Sequence, residues 1–597
     1  MKHFIIQFIL IFGSGLSFSQ KIQAQPFLRQ HDPLFITDLC LTADNQVVCT
    51  EKSAKRISVY TPDFKNIISE YTISQTPTGI TQGNNKFYIT TFDKQGEVLI
   101  MNQQTGEIEK KISTGSGTNS PLLNSDQSKL YVLNQFSNNV QEINLKNGQI
   151  SREVKVLREP KGAVIDSKGK YLFVTNFLPA QRADLDTVAA CISVISLSSF
   201  KKIKDIQLYN GSNALRGICM SADGKYVFVT HNLGRFQVPT NQLQQGWMNT
   251  SGVSILDASA LSHLGTVLMD DPERGAAGIW DIHCTPEHMV ISHSGTHELS
   301  IIDYPEFIRK FEEYTPKSEL AYDLRFVYNS KFRKRIPLVG NGPRKFIIDN
   351  NNEVIVPTYF SDDLNKVLLS TGAVTAISLV QNRQESDRDK GEKYFNDADH
   401  CFQNWQSCNG CHPGDARTDG MNWDLLNDGI GNPKNCKSML YSHQTAPSMI
   451  SGIREKAEIA VRKGFTHIQF TECPEEMANC VDEYLKALQP VVSPYLVNGK
   501  LSEKAQRGRQ IFEKHNCSQC HSGPYFTDQR MYRIGENIEF EKGWDTPTLI
   551  EVWRTAPYLF DGRAATIQDV FEKYKHGINQ KISKKEIDEL AEYVNSL

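Results

Sequence analysis

The sequence predicts a multidomain chain: an all-β seven-bladed propeller over residues 35–380, then a mostly α domain over 385–597 built from two similar halves, 391–495 and 500–597. Three observations predict it. A small-polar turn followed by a β-rich run returns at intervals of roughly 40–60 residues through the first part of the chain, the period of propeller blades. A polar, charge-rich stretch from Gln381 to Lys390 then ends the rhythm. Beyond it the pentad Cys-x-x-Cys-His occurs twice, as Cys408–His412 and Cys517–His521, in parallel settings.

The blades come first. Asp166–Lys170 turns into Tyr171–Asn176, Ser221–Lys225 into Tyr226–His231, and Gln127–Lys129 into Leu130–Asn134. A second alternating strand follows each, over Val140–Leu145, Ile192–Ile195 and Val253–Leu256. Alternation with β-branched enrichment reads as strand, and the intervening turn chemistry reads as hairpin. Weaker copies at Val47–Tyr60, Phe87–Met101, Met289–Asp303 and Val354–Leu369 bring the number of blades to seven. Strands this short need radial repetition to protect their edges. The phrase resembles the YVTN family of surface and periplasmic propellers, with Tyr171–Asn176 the nearest match. Two insertions interrupt it. Asn232–Thr250 carries Arg235, Trp247 and Asn249; Pro305–Arg344 carries the basic run Lys331, Arg333, Lys334 and Arg335. The basic run reads as a solvated face; the sharper reading is that both loops cover the second domain or a partner docked there.

At 597 residues the chain exceeds one ordinary core, and 39% hydrophobic with 22% charged residues is the composition of a folded, soluble protein. A net charge of −3, with no charged tail or basic stripe, argues against nucleic acid as a partner. Met1-Lys2-His3, the apolar run Phe4–Phe12 and the small residues after it read as a signal peptide, 1–24, cleaved after Ser19 or Ala24. The run is too short for a permanent membrane span, and no later segment is apolar enough. The mature chain is therefore expected in the periplasm, or secreted to the cell surface.

Each pentad is the attachment site of a c-type haem: Cys408 and Cys411, or Cys517 and Cys520, bond the vinyl groups, and His412 or His521 binds the iron. Structural zinc is disfavoured, because nothing supplies the second half of a zinc ribbon. Two covalent haems follow, and the second domain is a di-haem cytochrome c unit. Gly391–Phe395 precedes the first pentad as Gly508–Phe512 precedes the second. Ser583 and Glu586 cap a closing helix with Ile587, Leu590, Ala591, Val594 and Leu597 on one face; Val481, Leu485 and Leu488 close the first half. Among the other nine cysteines, Cys40–Cys49 and Cys473–Cys480 are spaced to bridge in an oxidising compartment.

Three stretches around the second pentad, His521–Asp528, Thr546–Leu549 and Thr555–Gly562, resemble in order the bacterial di-haem cytochrome c peroxidase and MauG family. Asp415–Gly420 is similar. The resemblance implies that the first haem reacts with hydrogen peroxide while the second passes electrons. It implies that Glu476, in Pro474-Glu475-Glu476-Met477, is the acid/base for O–O cleavage, a role that needs one group to move a proton between the oxygens. Without the resemblance, Glu476 is an exposed residue at a helix N-terminus. The family's distal ligand to the second iron, Met in the peroxidases and Tyr in MauG, falls at Tyr574; Met531 and His576 are alternatives, and His443 is a candidate for the first iron. The family also places calcium between the haems, with Thr555 and Pro557 on its side of the site. The chain departs from the family at Phe560, which replaces a motif histidine, and at Ile450–Arg454, which lacks the family's tryptophan; Trp423 or Trp544 is the available substitute. The leading expectation is a peroxide-using di-haem oxidoreductase fed by a small donor protein or quinol-linked cytochrome. The alternatives are an electron relay on a partner-binding propeller, and a MauG-like enzyme acting on a protein held there.

Overall fold

The repeated phrase builds seven antiparallel sheets, each climbing outward from a central channel. The computed structural model describes residues 25–26, 29–238, 247–328, 330–425, 433–534, 541–578 and 580–597; the expected signal segment 1–24 lies outside them. The sheets span 36–72, 77–113, 118–155, 160–207, 212–268, 279–337 and 347–378. Gln25–Pro26 adds an outer strand to the first sheet, and Arg29–Gln30 pairs in parallel with Val380–Gln381, so the ends of the propeller meet.

The strand-end residues explain the repetition. Thr175 and Thr230, each the fifth residue of its strand, hydrogen-bond the backbone of a glycine in or beside the inner strand, Gly162 at 2.8 Å and Gly217 at 2.9 Å. A Cβ on Gly162 would lie 2.5 Å from the Arg216 carbonyl, so only glycine lets neighbouring blades approach there. The sixth residue reaches the third strand: Asn176 donates to Ser193 at 3.0 Å, and His231 and His293 bond Ser254 at 2.8 Å and Ser300 at 2.9 Å. Consecutive sheets bury apolar layers such as Phe173, Val194, Val227 and Leu256.

The insertions serve the fold in different ways. The strand predicted to end at His231 runs on to Gly234, and its partner begins at Asn249. In the second insertion the basic run is strand Arg333–Pro337, so its side chains alternate. Arg333 and Arg335 turn inward onto Asp271 and Glu298, while Lys331 and Lys334 face solvent. Half of the run is thus a buried ion-pair network, neither a solvated face nor a cover.

Among the described residues of 387–597 the expected mostly α character is limited to two crossed helix pairs, the helices Ala457–His467 and Ile567–Glu572, and short turns. Prolines 413, 433, 447, 490, 494, 524, 547 and 557 interrupt the chain too often for longer helices. Helix Asp387–Asn396 crosses Glu475–Lys486, and Glu503–Lys514 crosses Lys584–Asn595. At each crossing the earlier helix offers a glycine. A Cβ on Gly391 would sit 1.9 Å from the Cys480 carbonyl, and one on Gly508 1.9 Å from that of Glu589. Phe395 meets Tyr484 at 5.4 Å between ring centres, and Phe512 meets Tyr593 at 5.3 Å. The two crossings are thus packed alike. Among the described residues no two cysteines are joined by a disulfide. Cys40 lies opposite Val48, and Cys49 opposite Leu39, so Cys40 and Cys49 point to opposite faces of their sheet and cannot bridge.

Candidate functional site

Both pentads fold alike. Cys408–Gly410 and Cys517–Gln519 form tight turns, with the His412 N–H on the Cys408 carbonyl at 3.0 Å and the His521 N–H on the Cys517 carbonyl at 2.9 Å. Nδ1 of His412 lies 3.1 Å from the Arg417 carbonyl, and Nδ1 of His521 3.2 Å from that of Phe526. A carbonyl only accepts, so Nδ1 carries the proton and Nε2 keeps its lone pair for a metal. Burial pulls both imidazoles below the ordinary histidine range, which keeps that lone pair free near neutrality. The next turns match too: Thr418 donates to the Cys436 carbonyl at 2.7 Å and Thr527 to that of Thr546 at 2.6 Å. Asp419 then accepts from the Trp423 indole at 2.8 Å and Asp528 from the Tyr532 hydroxyl at 2.6 Å.

The donor set fits a metal held between two histidines at the second pentad. The His521 and His576 rings lie with centres 6.3 Å apart and planes tilted by 52°. Two metal–nitrogen bonds of about 2 Å and two half-rings of about 1 Å span about 6 Å, a length that matches this separation. Tyr574, the position implied by the family resemblance, donates its hydroxyl to the Arg563 carbonyl at 2.9 Å. The Met531 sulfur lies against Gly452 of the other half.

The first pentad is built differently. His443 uses both ring nitrogens, Nε2 toward Asp482 at 2.9 Å and Nδ1 toward Ser442 at 3.2 Å, and Asp482 is also paired with Arg462. Glu476 is exposed at the start of its helix, where its charge acts on Lys390, Tyr394 and Cys480. The Cys436 sulfur lies 3.5 Å from His412 Nδ1 and contacts the Cys411 carbonyl at 3.2 Å. Gln469 donates to the Cys408 sulfur at 3.1 Å and Asn249 to that of Cys411 at 3.3 Å. Trp544 stacks on Phe560 at 4.4 Å, and Tyr441 meets Tyr525 across the two halves at 4.8 Å. Thr555, on the expected calcium side, donates to the Val552 carbonyl at 3.1 Å. Among the described residues the one compact carboxylate–histidine cluster lies elsewhere, at His297, Asp397 and Asp399. There Nδ1 accepts the Gly342 N–H at 3.0 Å, so the ring's proton sits on Nε2, facing Asp397 at 3.2 Å.

The propeller completes the first site. Asn249 comes from the first insertion, one of the two loops read as a cover for the second domain or a docked partner. Arg554 and Glu159 it missed, since residues 395 apart show no pattern. Arg554 pairs with Glu159 at 3.1 Å and Glu551 at 3.3 Å, and Glu551 with Arg417 at 2.8 Å, all four side chains being buried. This alternating row ties the propeller to both halves. Burial alone would raise the Glu159 carboxyl, but Arg554 and Arg158 outweigh it and hold it below the usual range.

Fold and site together define a seven-bladed propeller joined to a duplicated Cys-x-x-Cys-His unit. No family model matches the chain. It is 26% identical over 270 residues to hydrazine synthase subunit gamma of Kuenenia stuttgartiensis, spanning 35% of this chain and 76% of that protein. It is 24% identical over 194 residues to subunit beta of the same enzyme, spanning 31% of this chain and 49% of that protein. With cytochrome c551 peroxidase of Nitrosomonas europaea it shares 22% over 209 residues, 30% of this chain and 60% of the relative. Among solved structures, a chain of Kuenenia stuttgartiensis hydrazine synthase aligns over 61% of this chain and 99% of its own, with TM-score 0.50 and 17% identity, a likeness of fold alone. These relationships support a propeller linked to a peroxidase-like unit and a haem-related redox role.

Proposed function

We propose that the chain is an exported redox enzyme carrying two covalent c-type haems, one for electron relay and one for substrate. The observation that carries this is the asymmetry of the pentads. His521 has a second imidazole, His576, at 6.3 Å between ring centres, whereas among the described residues His412 makes no such contact with a histidine ring. Cys517 and Cys520 would anchor the relay group, with His521 and His576 binding its iron; His576 replaces Tyr574 as the favoured distal ligand. Cys408, Cys411 and His412 would hold the second group. Bound haem supplies one-electron and peroxide chemistry that no side chain provides.

The remaining work falls to the chain. The Arg417 and Phe526 carbonyls fix the tautomer and orientation of the two ligating histidines. Gln469 and Asn249 position the Cys408 and Cys411 sulfurs. Tyr441 and Tyr525 give a contact between the halves through which electrons can pass, in a place where the expectation offered Trp423 or Trp544. Glu476 stays the acid/base candidate that the family resemblance implies, as calcium stays with Thr555 and Pro557. The donor would be a small cytochrome or quinol-linked protein, the oxidant hydrogen peroxide, and the compartment the periplasm or cell surface. Among the described residues no helix is long and apolar enough to cross a membrane.

A second reading comes from the relatives' names: a small nitrogen compound of the hydrazine class replaces peroxide at the first site. EPR and absorption spectra of the haem-loaded protein separate the readings. A high-spin signal consumed by peroxide supports the peroxidase reading. The same signal responding to hydrazine or hydroxylamine alone supports the second. Two low-spin irons indifferent to all three would reduce the chain to an electron relay.

A further inference from the structure

Around the channel mouth that faces the first pentad, cations alternate with aromatic rings. Lys161 lies 5.7 Å from the ring centre of Phe177, and Arg216 lies 5.3 Å from Phe177 and 4.4 Å from Trp280. Arg344 lies 4.4 Å from Trp280 and 3.7 Å from Tyr359, and Lys52 closes the row 6.0 Å from Tyr359. Lys161 and Trp280 stand on inner strands, and Arg216 and Arg344 just before them, so the row follows the channel wall from the fourth blade round to the first.

The lysines have compensation. Lys52 donates to the Tyr359 hydroxyl at 3.2 Å. Both lysines also feel Asp415, which a left-handed turn, Gly414–Ala416, presents toward the mouth. Burial would raise the Asp415 carboxyl, but Lys52, Arg554 and Lys161 outweigh it and hold it at about 2. The arginines have none. Arg216 is 8% exposed, its guanidinium donates to the Ala214 carbonyl at 3.3 Å, and among the described residues no carboxylate pairs with it. Arg344 has a buried Nε without a partner, and likewise no carboxylate among the described residues. Burial, with Arg344 beside it, pulls the Arg216 guanidinium down to about 9. A buried charge without a counter-charge is costly, more so than cation–π contacts offset. The region is nonetheless accessible: Asp415 and Trp280 keep exposed surface where the propeller and the first half meet.

We propose that this mouth binds a small oxyanion of the phosphate or carboxylate class, held by Arg216 and Arg344 on the Trp280 wall beneath the Asp415 turn. Guanidinium edges match paired oxygens, and Asp415 repels the anion toward the arginines. The same chemistry could come from a carboxylate of bound haem, so the test separates free anion from haem.

The experiment is calorimetric titration of the haem-loaded full chain with inorganic phosphate, and separately with acetate, at constant ionic strength. One saturable site is expected, weakened at least about tenfold in Arg216→Gln or Arg344→Gln, the factor one lost charge-assisted bond implies. Asp415→Asn should tighten it several-fold. No binding of either anion, or binding unchanged in both arginine variants, overturns the proposal. So does absence of binding together with an altered haem spectrum in Arg344→Gln, which assigns the arginines to a haem carboxylate. Should the arginine variants fail to fold, Asp415→Asn decides: tighter binding supports the site, unchanged binding overturns it.

Discussion

Because Nδ1 of His412 and His521 gives its proton to a carbonyl, each ring turns its bare nitrogen outward, and what lies opposite decides its use. Opposite His521 it is His576. His576→Ala should convert one low-spin iron to high spin while covalent haem content stays at two per chain, by EPR and intact mass. Tyr574→Phe should leave both spectra unchanged, since the hydroxyl is engaged with Arg563; a shifted second-haem spectrum in that variant would return the ligand role to Tyr574. Cys517→Ala with Cys520→Ala should remove one haem mass and leave the first site's spectrum in place.

At the scale of elements, glycine separates packing from propensity. Alanine normally favours a helix over glycine by about 1 kcal/mol. At Gly464, inside helix Ala457–His467, an added Cβ meets nothing within 4 Å, so Gly464→Ala should stabilise by up to about 1 kcal/mol. At Gly508 the Cβ would collide with the Glu589 carbonyl at 1.9 Å, and overpacking of about 3 kcal/mol or more should override that gain. Thermal unfolding of the two variants should therefore move in opposite directions. The blades make an acid-sensitive counterpart. Burial pulls His231, His263 and His293 down to about 4, whereas an unfolded chain takes up those protons near 6.5. Between those values the unfolded state binds more protons, so stability present above 6.5 is lost as pH falls toward 4. Denaturant midpoints across that window should fall with acid, less steeply in a His231→Asn variant, which restores the asparagine found at the same place in the fourth blade.

At the scale of the whole molecule, Arg554 is the joint. Arg554→Ala would leave Glu159 and Glu551 buried without their shared cation, at a cost of about 3–5 kcal/mol. The expected result is loosening of the propeller from the haem-binding halves, read as faster proteolysis near 381–390 and a lower Tm. A variant with unaltered Tm and proteolysis would show that the apolar contacts, such as Phe136 on Trp553 at 5.7 Å, suffice to hold the junction.

By itself the sequence determined what repeats: seven blades, from turns and alternation that are local in the chain, and two pentads whose cysteine and histidine spacing is set within five residues. It also carried the parallel setting of the pentads, since Gly391–Phe395 precedes the first and Gly508–Phe512 the second. Only the tertiary structure decided what meets at long range. His576 opposite His521, Asn249 on the Cys411 sulfur, Arg554 on Glu159 and the row of cations round the channel all join residues tens to hundreds of positions apart. The reason is physical: hydrogen-bonded periodicity writes itself along the chain, whereas ligand pairs, counter-charges and inter-domain contacts depend on where separate elements pack, and no spacing rule connects them.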